Sequence, residues 1–278
     1  MEKLKDYAQI VFEAGRGQLL FPTSVNAALQ LQLALADPDC HVEEAIRRVL
    51  AEPLLAARAV ALANSAVFNR HGGPPVTSAR AAVLRVGYRN LYSLAAAMVV
   101  RQFGNRIRDP QLRAQAEQLW RHTAHVAALS HVLARELTGA DGDTALFAGI
   151  LHEVGGFYLL SRADDMPGLL DDPDMRLGAL HEIVTRELMK KLQVPDAVAA
   201  AIATLRGGAI SLPPSGLRDT LLLAKQLAPQ RSPLPVADDA VLTRAAAVDA
   251  YLDNNPVLDA ILLESADEAR SMSAALLV

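Results

Sequence analysis

The chain has 278 residues, of which 51% are hydrophobic and 21% charged, and its net charge is −4. This composition excludes an intrinsically disordered chain, while 16 Gly, 15 Pro and one Cys exclude collagen-like and disulfide-rich classes. No apolar run reaches the roughly 18–20 residues of a membrane-spanning helix, and the opening residues lack a signal-peptide pattern. We therefore expect a cytoplasmic protein that does not bind membranes.

Apolar residues recur at helical spacing throughout the first part of the chain. Pro53 fits the first turn of a helix, where its missing N–H costs nothing. After a Gly/Pro-rich loop, Ser78 predicts a helix N-cap and Gly87 predicts the end of the same helix. The helices predicted in this part cover residues 24–35, 41–51, 53–64, 79–86 and 89–103, and Asp37-Pro38 separates the first two.

The second part of the chain is also predicted to be helical. Asp109-Pro110 opens the longest helix, Asp143 is expected to cap the next one, and Pro195 and Pro256 fit first turns. No segment alternates strictly enough to predict a strand. The sequence therefore predicts an all-α fold of two helical lobes that divide near residue 106. The predicted helices here cover residues 111–137, 144–160, 176–192, 195–205, 215–227, 237–252 and 256–272.

Histidines beside carboxylates are the strongest signal for chemistry. His122 and His125 lie three residues apart on one predicted helix, so they share a face as two metal ligands can. The dipeptide His152-Glu153 follows an apolar segment and recurs as His181-Glu182. Neither dipeptide completes the His-Glu-x-x-His zinc pattern. Each therefore belongs either to a metal site or to a structural pair that is hydrogen-bonded between helices.

Other residue types give weaker signals. Cys40 adjoins His41 in sequence, which does not position a base, and this favours a half-buried structural residue. The arginines between Arg101 and Arg113 alternate with polar and acidic residues, which favours a solvated connector. A phosphate contact stays open, because a planar guanidinium binds phosphate well. The net negative charge disfavours nucleic acid as a partner.

Several segments taken together resemble one known family. Phe21-Pro22-Thr23-Ser24 leads a helix, and Asn64-Ser65-Ala66 ends another. Leu119-Trp120-Arg121-His122-Thr123 and Gly149-Ile150-Leu151-His152-Glu153-Val154-Gly155 follow later. In this order, over about residues 18–230, the segments are similar to the HDOD family, the HD-related output domain of bacterial signalling proteins. The residues that we assign to its structural motifs are Asn64, Ser65, Gly87, Trp120, Gly149 and Gly155.

The resemblance implies an N-terminal helical lobe over residues 1–105, a lobe over 106–235 similar to the HD phosphohydrolases, and C-terminal helices over 236–278 packed on this module. Those enzymes hold a metal with an early His, a His-Asp pair and a later Asp. His122 and His152 match the two histidines, but Glu153 replaces the Asp of the pair and Lys225 stands at the expected place of the last Asp. The resemblance thus implies a degenerate site, at which we expect no catalytic residue, metal or cofactor.

We therefore expect a non-catalytic signalling or regulatory module that acts through contacts with other signalling proteins. A small ligand between the lobes and a homodimer are both left open. The alternative is a metal-dependent phosphohydrolase of the HD superfamily that acts on a nucleotide or phosphoester with a divalent metal.

Two further expectations concern contacts between parts of the chain. Asn and Ser favour turns, so Asn64 and Ser65 are expected to form a joint that faces the HD-like lobe. In the last helix Leu258, Ile261 and Leu262 form an apolar face. We expect this face to dock on the HD-like lobe, with dimerisation as the alternative.

Overall fold

The computed structural model describes residues 2–19, 37, 41–70, 72–171, 175–234, 248–251 and 253–277. These residues form α-helices, one π-helical turn and loops, and no strand occurs among them, so the predicted all-α class is confirmed. Several predicted features lie outside the described residues. They are the motif 21–24, the helix over 24–35, Pro38, Cys40 and most of the helix over 237–252.

The described helices are numbered here in chain order. They are α1 (Glu2–Gly15), α2 (Val42–Ala51), α3 (Pro53–Ala63), α4 (Ala79–Val86), α5 (Tyr88–Gly104), α6 (Pro110–Leu133), α7 (Gly142–Leu151), α8 (Val154–Ala163), α9 (Met175–Lys191), α10 (Asp196–Ala203), α11 (Gly216–Leu227) and α12 (Pro256–Leu277). The π-helical turn Ala134–Thr138 extends α6. α12 runs five residues beyond its predicted end at residue 272.

Side-chain caps fix the start of three helices. Ser78 accepts a hydrogen bond from the Ala81 N–H at 3.2 Å and caps α4, as its place in the sequence predicts. The Asp109 carboxylate caps α6. α7 is capped by Asp141 and not by Asp143, because the helix begins two residues earlier than predicted. Asp143 instead accepts a hydrogen bond of 3.0 Å from the Asn90 side chain.

Helix α1 was not predicted from the sequence. Its residues Ile10 and Ala14 are fully buried, and the helix packs against α9. Glu13 forms an ion pair of 3.2 Å with Arg162, which lies at the end of α8. The spacing of Ile10, Val11 and Ala14 is a helical signal that could have identified this element.

One helix predicted over residues 144–160 is in fact two. α7 ends at Leu151, and Glu153 leaves the helical region with φ −110° and ψ 16° before α8 begins. No Pro marks this break, which falls at the polar pair His152-Glu153, just before Gly155 and Gly156. Its consequence is that His152 and Glu153 lie at a helix junction inside the core.

The core forms where α5, α6, α7 and α8 pack together. Trp120 is buried on α6 and meets the edge of Phe157 from α8, with ring centroids 6.2 Å apart. A Cβ atom at Gly149 would lie 2.5 Å from Cα of Ala127, so glycine lets α7 approach the backbone of α6. Gly87 has a φ of +78° and joins α4 to α5 at a sharp turn.

The C-terminal helix α12 packs along α6 and also contacts α3. The hydroxyl of Ser271 on α12 accepts a hydrogen bond of 2.9 Å from the N–H of Ala66. Asn64 does not form the expected joint with the HD-like lobe. Its amide instead bonds both the N–H and the carbonyl of Val76, at 2.7 and 2.8 Å, and so closes the loop between α3 and α4. The Ser65 hydroxyl donates to the Leu62 carbonyl and ends α3.

Candidate functional site

Three parts of the fold bring titratable side chains to one place. His122 comes from the middle of α6, and His152 and Glu153 come from the junction between α7 and α8. Lys225 comes from α11. The structure thus brings together the two histidines, the glutamate and the lysine that the resemblance aligned with a metal site.

His181 on α9 joins the same group, although it was not among the predicted site residues. Its approach depends on Gly155, where a Cβ atom would lie 2.1 Å from Oγ1 of Thr185 and 2.9 Å from the carbonyl oxygen of His181. Glycine at 155 therefore lets α9 pack tightly against the start of α8. The repeated His-Glu dipeptide was a sequence signal that pointed to His181.

The two buried histidines are held by backbone carbonyls. Nδ1 of His122 lies 2.7 Å from the carbonyl oxygen of Gln230, and Nδ1 of His152 lies 2.7 Å from that of Gly149. A carbonyl oxygen can only accept, so each Nδ1 carries the proton and each neutral ring keeps a lone pair on Nε2. The ring centroids are 5.5 Å apart. These contacts fix both imidazoles in the tautomer that presents an Nε2 acceptor.

Burial keeps the two imidazoles neutral. It lowers the pKa of His152 to about 3, although the neighbouring Glu153 opposes that shift. The pKa of His122 is also lowered, chiefly by burial. Lys225 adds to both shifts because its positive charge disfavours a second cation nearby. The two rings are therefore acceptors and not cations at neutral pH.

Glu153 is a buried carboxylate surrounded by nitrogen atoms. Its Oε1 lies 3.6 Å from Nζ of Lys225, and its Oε2 lies 3.4 Å from Nε2 of His181. Burial alone would raise the pKa of Glu153, but the Lys225 ammonium holds that pKa well below its usual value. Glu153 is therefore ionised, and Lys225 is the cation that balances it.

The donor atoms of three of these residues fit a metal ion. One atom each from His122, His152 and Glu153 lie within 4.8 Å of one another, and three protein ligands are the usual set of a catalytic zinc site. The Nε2 lone pairs are in the form that binds a metal. Lys225 does not fit a metal site, since its ammonium lies beside the carboxylate that would bind the ion and would repel that ion. The triad is compatible with a metal, and its surroundings oppose one.

A cavity of about 1160 Å³ adjoins this group and extends between α9, α10 and α11. His122, His152, Glu153 and Lys225 lie on its wall. Sequence analysis did not predict this cavity. Its volume slightly exceeds the roughly 300–1,000 Å³ that is typical of small-molecule sites.

The arginine-rich stretch is held by contacts within the chain. The Arg101 guanidinium lies over the Trp120 ring, 5.5 Å from its centroid. Arg108 pairs with Asp164 at 3.0 Å, and Arg113 donates to the Ile107 carbonyl at 2.8 Å. These groups support the local structure.

The HDOD domain family model matches residues 21–205 of the sequence. None of the curated proteins matches the chain significantly. A solved structure from Shewanella amazonensis, whose name proposes a metal-dependent phosphohydrolase, is 19% identical with a TM-score of 0.71, and the match covers 99% of each chain. An HDOD domain protein of unknown function from Geobacter sulfurreducens is 19% identical with a TM-score of 0.62, over 98% of this chain and 99% of that one.

A third similar structure comes from Marinobacter aquaeolei, and its name proposes a signal transduction protein. It is 21% identical with a TM-score of 0.59, and the match covers 99% of this chain and 65% of that one. At these identities the three structures establish a shared fold. The names divide between signalling and hydrolysis, so the activity has to be argued from the residues of this chain.

Proposed function

The chain belongs to the HDOD domain family, and we propose that it is a non-catalytic regulatory module of bacterial signal transduction in which Lys225 takes the place of a metal ion. The observation that carries this proposal is the distance of 3.6 Å between Nζ of Lys225 and Oε1 of Glu153. The ammonium balances the carboxylate that a metal would otherwise balance. The site therefore keeps its shape without an ion.

Electrostatics makes the lysine an effective obstacle to a metal. A divalent ion about 4 Å from an ammonium would be repelled by about 8 kcal/mol at an effective dielectric constant of 20. The Lys225 side chain is 35% exposed and can turn towards solvent, which reduces this cost. We therefore expect weak metal binding by the wild-type protein, and no hydrolysis of phosphoesters.

Signalling by contact requires an accessible surface for a partner protein. Three large apolar side chains on α2, α3 and α4 are at least half exposed, namely Leu50 at 55%, Leu54 at 50% and Leu84 at 63%. These three helices pack on one another. Where exposed apolar groups form a contiguous patch, they often mark a protein contact. They support a signalling protein as the partner of the N-terminal lobe.

A cytoplasmic location is part of the same proposal. The segment Gly142–Ala163 is the one described stretch apolar and long enough to cross a membrane, and 89% of its most apolar window is buried in the protein. Its apolar side chains form the core around α7 and α8, which supports their role in packing.

The second candidate function is a metal-dependent phosphohydrolase of the HD superfamily. It is favoured by the triad of His122, His152 and Glu153, whose donor atoms lie within 4.8 Å of one another. In that case a divalent metal held by these three residues would supply a Lewis acid for water and phosphoester. The chain's own contribution would be the two fixed imidazoles and the buried carboxylate.

Metal titration separates the two functions. Protein treated with a chelator is titrated calorimetrically with Mn²⁺, Fe²⁺ and Zn²⁺, and phosphoester hydrolysis is measured alongside. Lys225→Asp should raise metal affinity by about tenfold or more, since it removes the opposing charge and adds a carboxylate. Lys190→Asp is the matched control, because it makes the same charge change on the cavity wall at a lysine that pairs with Glu187.

Metal binding by the wild-type protein decides between the two functions. Tight, stoichiometric metal binding that disappears in His152→Ala would reject the non-catalytic function and favour the hydrolase. Weak binding in the wild type, with a gain in Lys225→Asp alone, supports the substitution of a metal by lysine.

A further inference from the structure

The cavity beside the histidines contains two acceptors without partners. His122 is 2% exposed and His152 is 3% exposed, and Nε2 of each ring has no hydrogen-bond partner among the residues that the structure describes. An unpaired buried polar atom carries an uncompensated desolvation cost. Both rings line the cavity, so a molecule inside it can reach these atoms. A ligand with an O–H or N–H donor would remove the cost.

Two cations on the same cavity have donors to spare. The distance between Lys225 and Glu153 is 3.6 Å, which is an ion pair longer than a hydrogen bond, so the ammonium N–H groups stay available. Arg231 is exposed and forms no ion pair or side-chain hydrogen bond with the described part of the chain. The contact between His122 and the Gln230 carbonyl places the backbone of Arg231 beside the imidazole.

Other cations on this wall are already paired. Arg206 lies 3.3 Å from Glu182, and Lys190 lies 2.8 Å from Glu187. Among the described residues, Lys225 and Arg231 are therefore the groups best able to bind an anion. The donor fork of arginine and the point charge of lysine both suit carboxylate and phosphate oxygens.

The remaining wall carries polar groups such as Gln193 and Asp196, but a large part of it is apolar. Its side chains come from α9 through α11 and the segment that follows, and include Met189, Ile202, Leu205, Leu222 and Leu234. A cavity of about 1160 Å³ with such a wall has room for a molecule larger than an inorganic ion. Binding of an apolar body there would remove apolar surface from water.

We propose that this cavity binds a small organic anion with an apolar body. Its carboxylate or phosphate pairs with Lys225 and Arg231, and a hydroxyl group beside that anion donates to Nε2 of His122 or His152. The inference rests on the proposed function, because a site without a metal leaves the histidine lone pairs for a ligand. The ligand is then the input that tunes the module.

The test uses three naphthyl compounds and the full chain after chelator treatment. Calorimetry measures the binding of 2-naphthylglycolate, which has a hydroxyl beside its carboxylate, and of 2-naphthylacetate, which lacks the hydroxyl. 1-Naphthyl phosphate tests the phosphate form of the anion, and released naphthol reports hydrolysis. We expect 2-naphthylglycolate to bind about tenfold more tightly than 2-naphthylacetate, because only the former donates to the histidines.

Variants locate the binding. Arg231→Ala and Lys225→Met should each lower the affinity for 2-naphthylglycolate by about tenfold or more. Arg270→Ala is the control, because that exposed residue pairs with Asp267 on α12 and does not line the cavity. Arg231 is exposed, so its variant is expected to melt like the wild type and keeps the test valid if Lys225→Met is unstable.

The outcomes separate the inference from the proposed function. If neither the glycolate nor the phosphate binds at about 1 mM, or if Arg231→Ala binds both unchanged, the ligand inference is wrong while the metal result stands. Metal-dependent release of naphthol by the wild type would instead overturn the non-catalytic function. If either anion binds without hydrolysis, and Arg231→Ala weakens that binding, the result supports both the ligand inference and the non-catalytic function. It also identifies whether the cavity takes a carboxylate or a phosphate.

Discussion

Two polar clusters in this protein are completed in different ways. At the end of α3 both polar atoms of the Asn64 amide have partners on Val76. Around the junction of α7 and α8, His152 and the neighbouring His122 of α6 satisfy Nδ1 with carbonyl oxygens, but Nε2 of each has no partner among the described residues. A satisfied cluster contributes to stability, whereas an unsatisfied one in a cavity provides contacts for something else. The comparison assigns a structural role to Asn64 and a binding role to the histidines.

The packing that assembles the histidine cluster should be the most sensitive feature of the molecule. A Cβ atom at Gly149 would lie 2.5 Å from Cα of Ala127, so Gly149→Val forces apart the two helices that carry His122 and His152. We expect a loss of about 3 kcal/mol or more in the free energy of unfolding. Chemical denaturation measures this loss. Gly15→Ala, at a helical position with no atom within 4 Å, is the control and should change stability little.

Acid should distinguish the histidine cluster from the asparagine cluster. Burial lowers the pKa of His152 to about 3. An unfolded chain, whose histidines have a pKa near 6.5, then binds more protons than the folded chain as the pH falls below 6.5, so acid destabilises the fold. This one group should cost about 2–3 kcal/mol at about pH 4.5 relative to pH 8.

Denaturation curves from pH 8 to pH 4.5 test this expectation. His152→Gln should flatten the dependence on pH, while His125→Gln, at a half-buried position on α6, serves as the control. Equal slopes for the wild type and His152→Gln would show that His152 does not carry the acid sensitivity. Glu153, whose pKa is lowered, adds loss of stability only at more acidic pH.

Substitution of Asn64 should lower the stability of the fold and leave ligand binding unchanged. Asn64→Ala removes both hydrogen bonds to Val76 and leaves two backbone groups without them. We expect a loss of about 1–2 kcal/mol, which thermal or chemical unfolding measures. Binding of 2-naphthylglycolate should stay unchanged after correction for the folded fraction. A variant with wild-type stability that no longer binds its signalling partner would instead move Asn64 to a partner surface.

Much of the fold could be predicted from local sequence. Helical spacing and caps such as Ser78 predicted most of the described helices, and the motifs around Asn64 and His152 predicted the family, which the match over residues 21–205 confirms. The break at Glu153 could not be predicted in this way. Beside the break, Gly155 lies against Thr185 and His181 of α9, a contact that no local pattern encodes.

The candidate site, like the fold, could be predicted from the sequence only in part. His122, His152, Glu153 and Lys225 could be found by aligning motifs, and the structure brings them to one wall. The cavity, and the place of Arg231 on its wall, could not be found by aligning motifs. They arise from contacts across long separations, such as that between His122 and Gln230, 108 residues apart.

The smallest effect is expected where the loop after Asn64 meets the C-terminal helix. The hydroxyl of Ser271 accepts a hydrogen bond of 2.9 Å from the Ala66 N–H, and both groups are half-buried. Because water can partly replace this partner, Ser271→Ala should cost less than Asn64→Ala, about 0.5–1 kcal/mol. Chemical unfolding of the two single variants and the double variant measures their coupling. If the two bonds are independent, the losses of stability add. A loss in the double variant that is smaller than the sum of the two single losses would show that Asn64 holds the loop in place for the bond to Ser271.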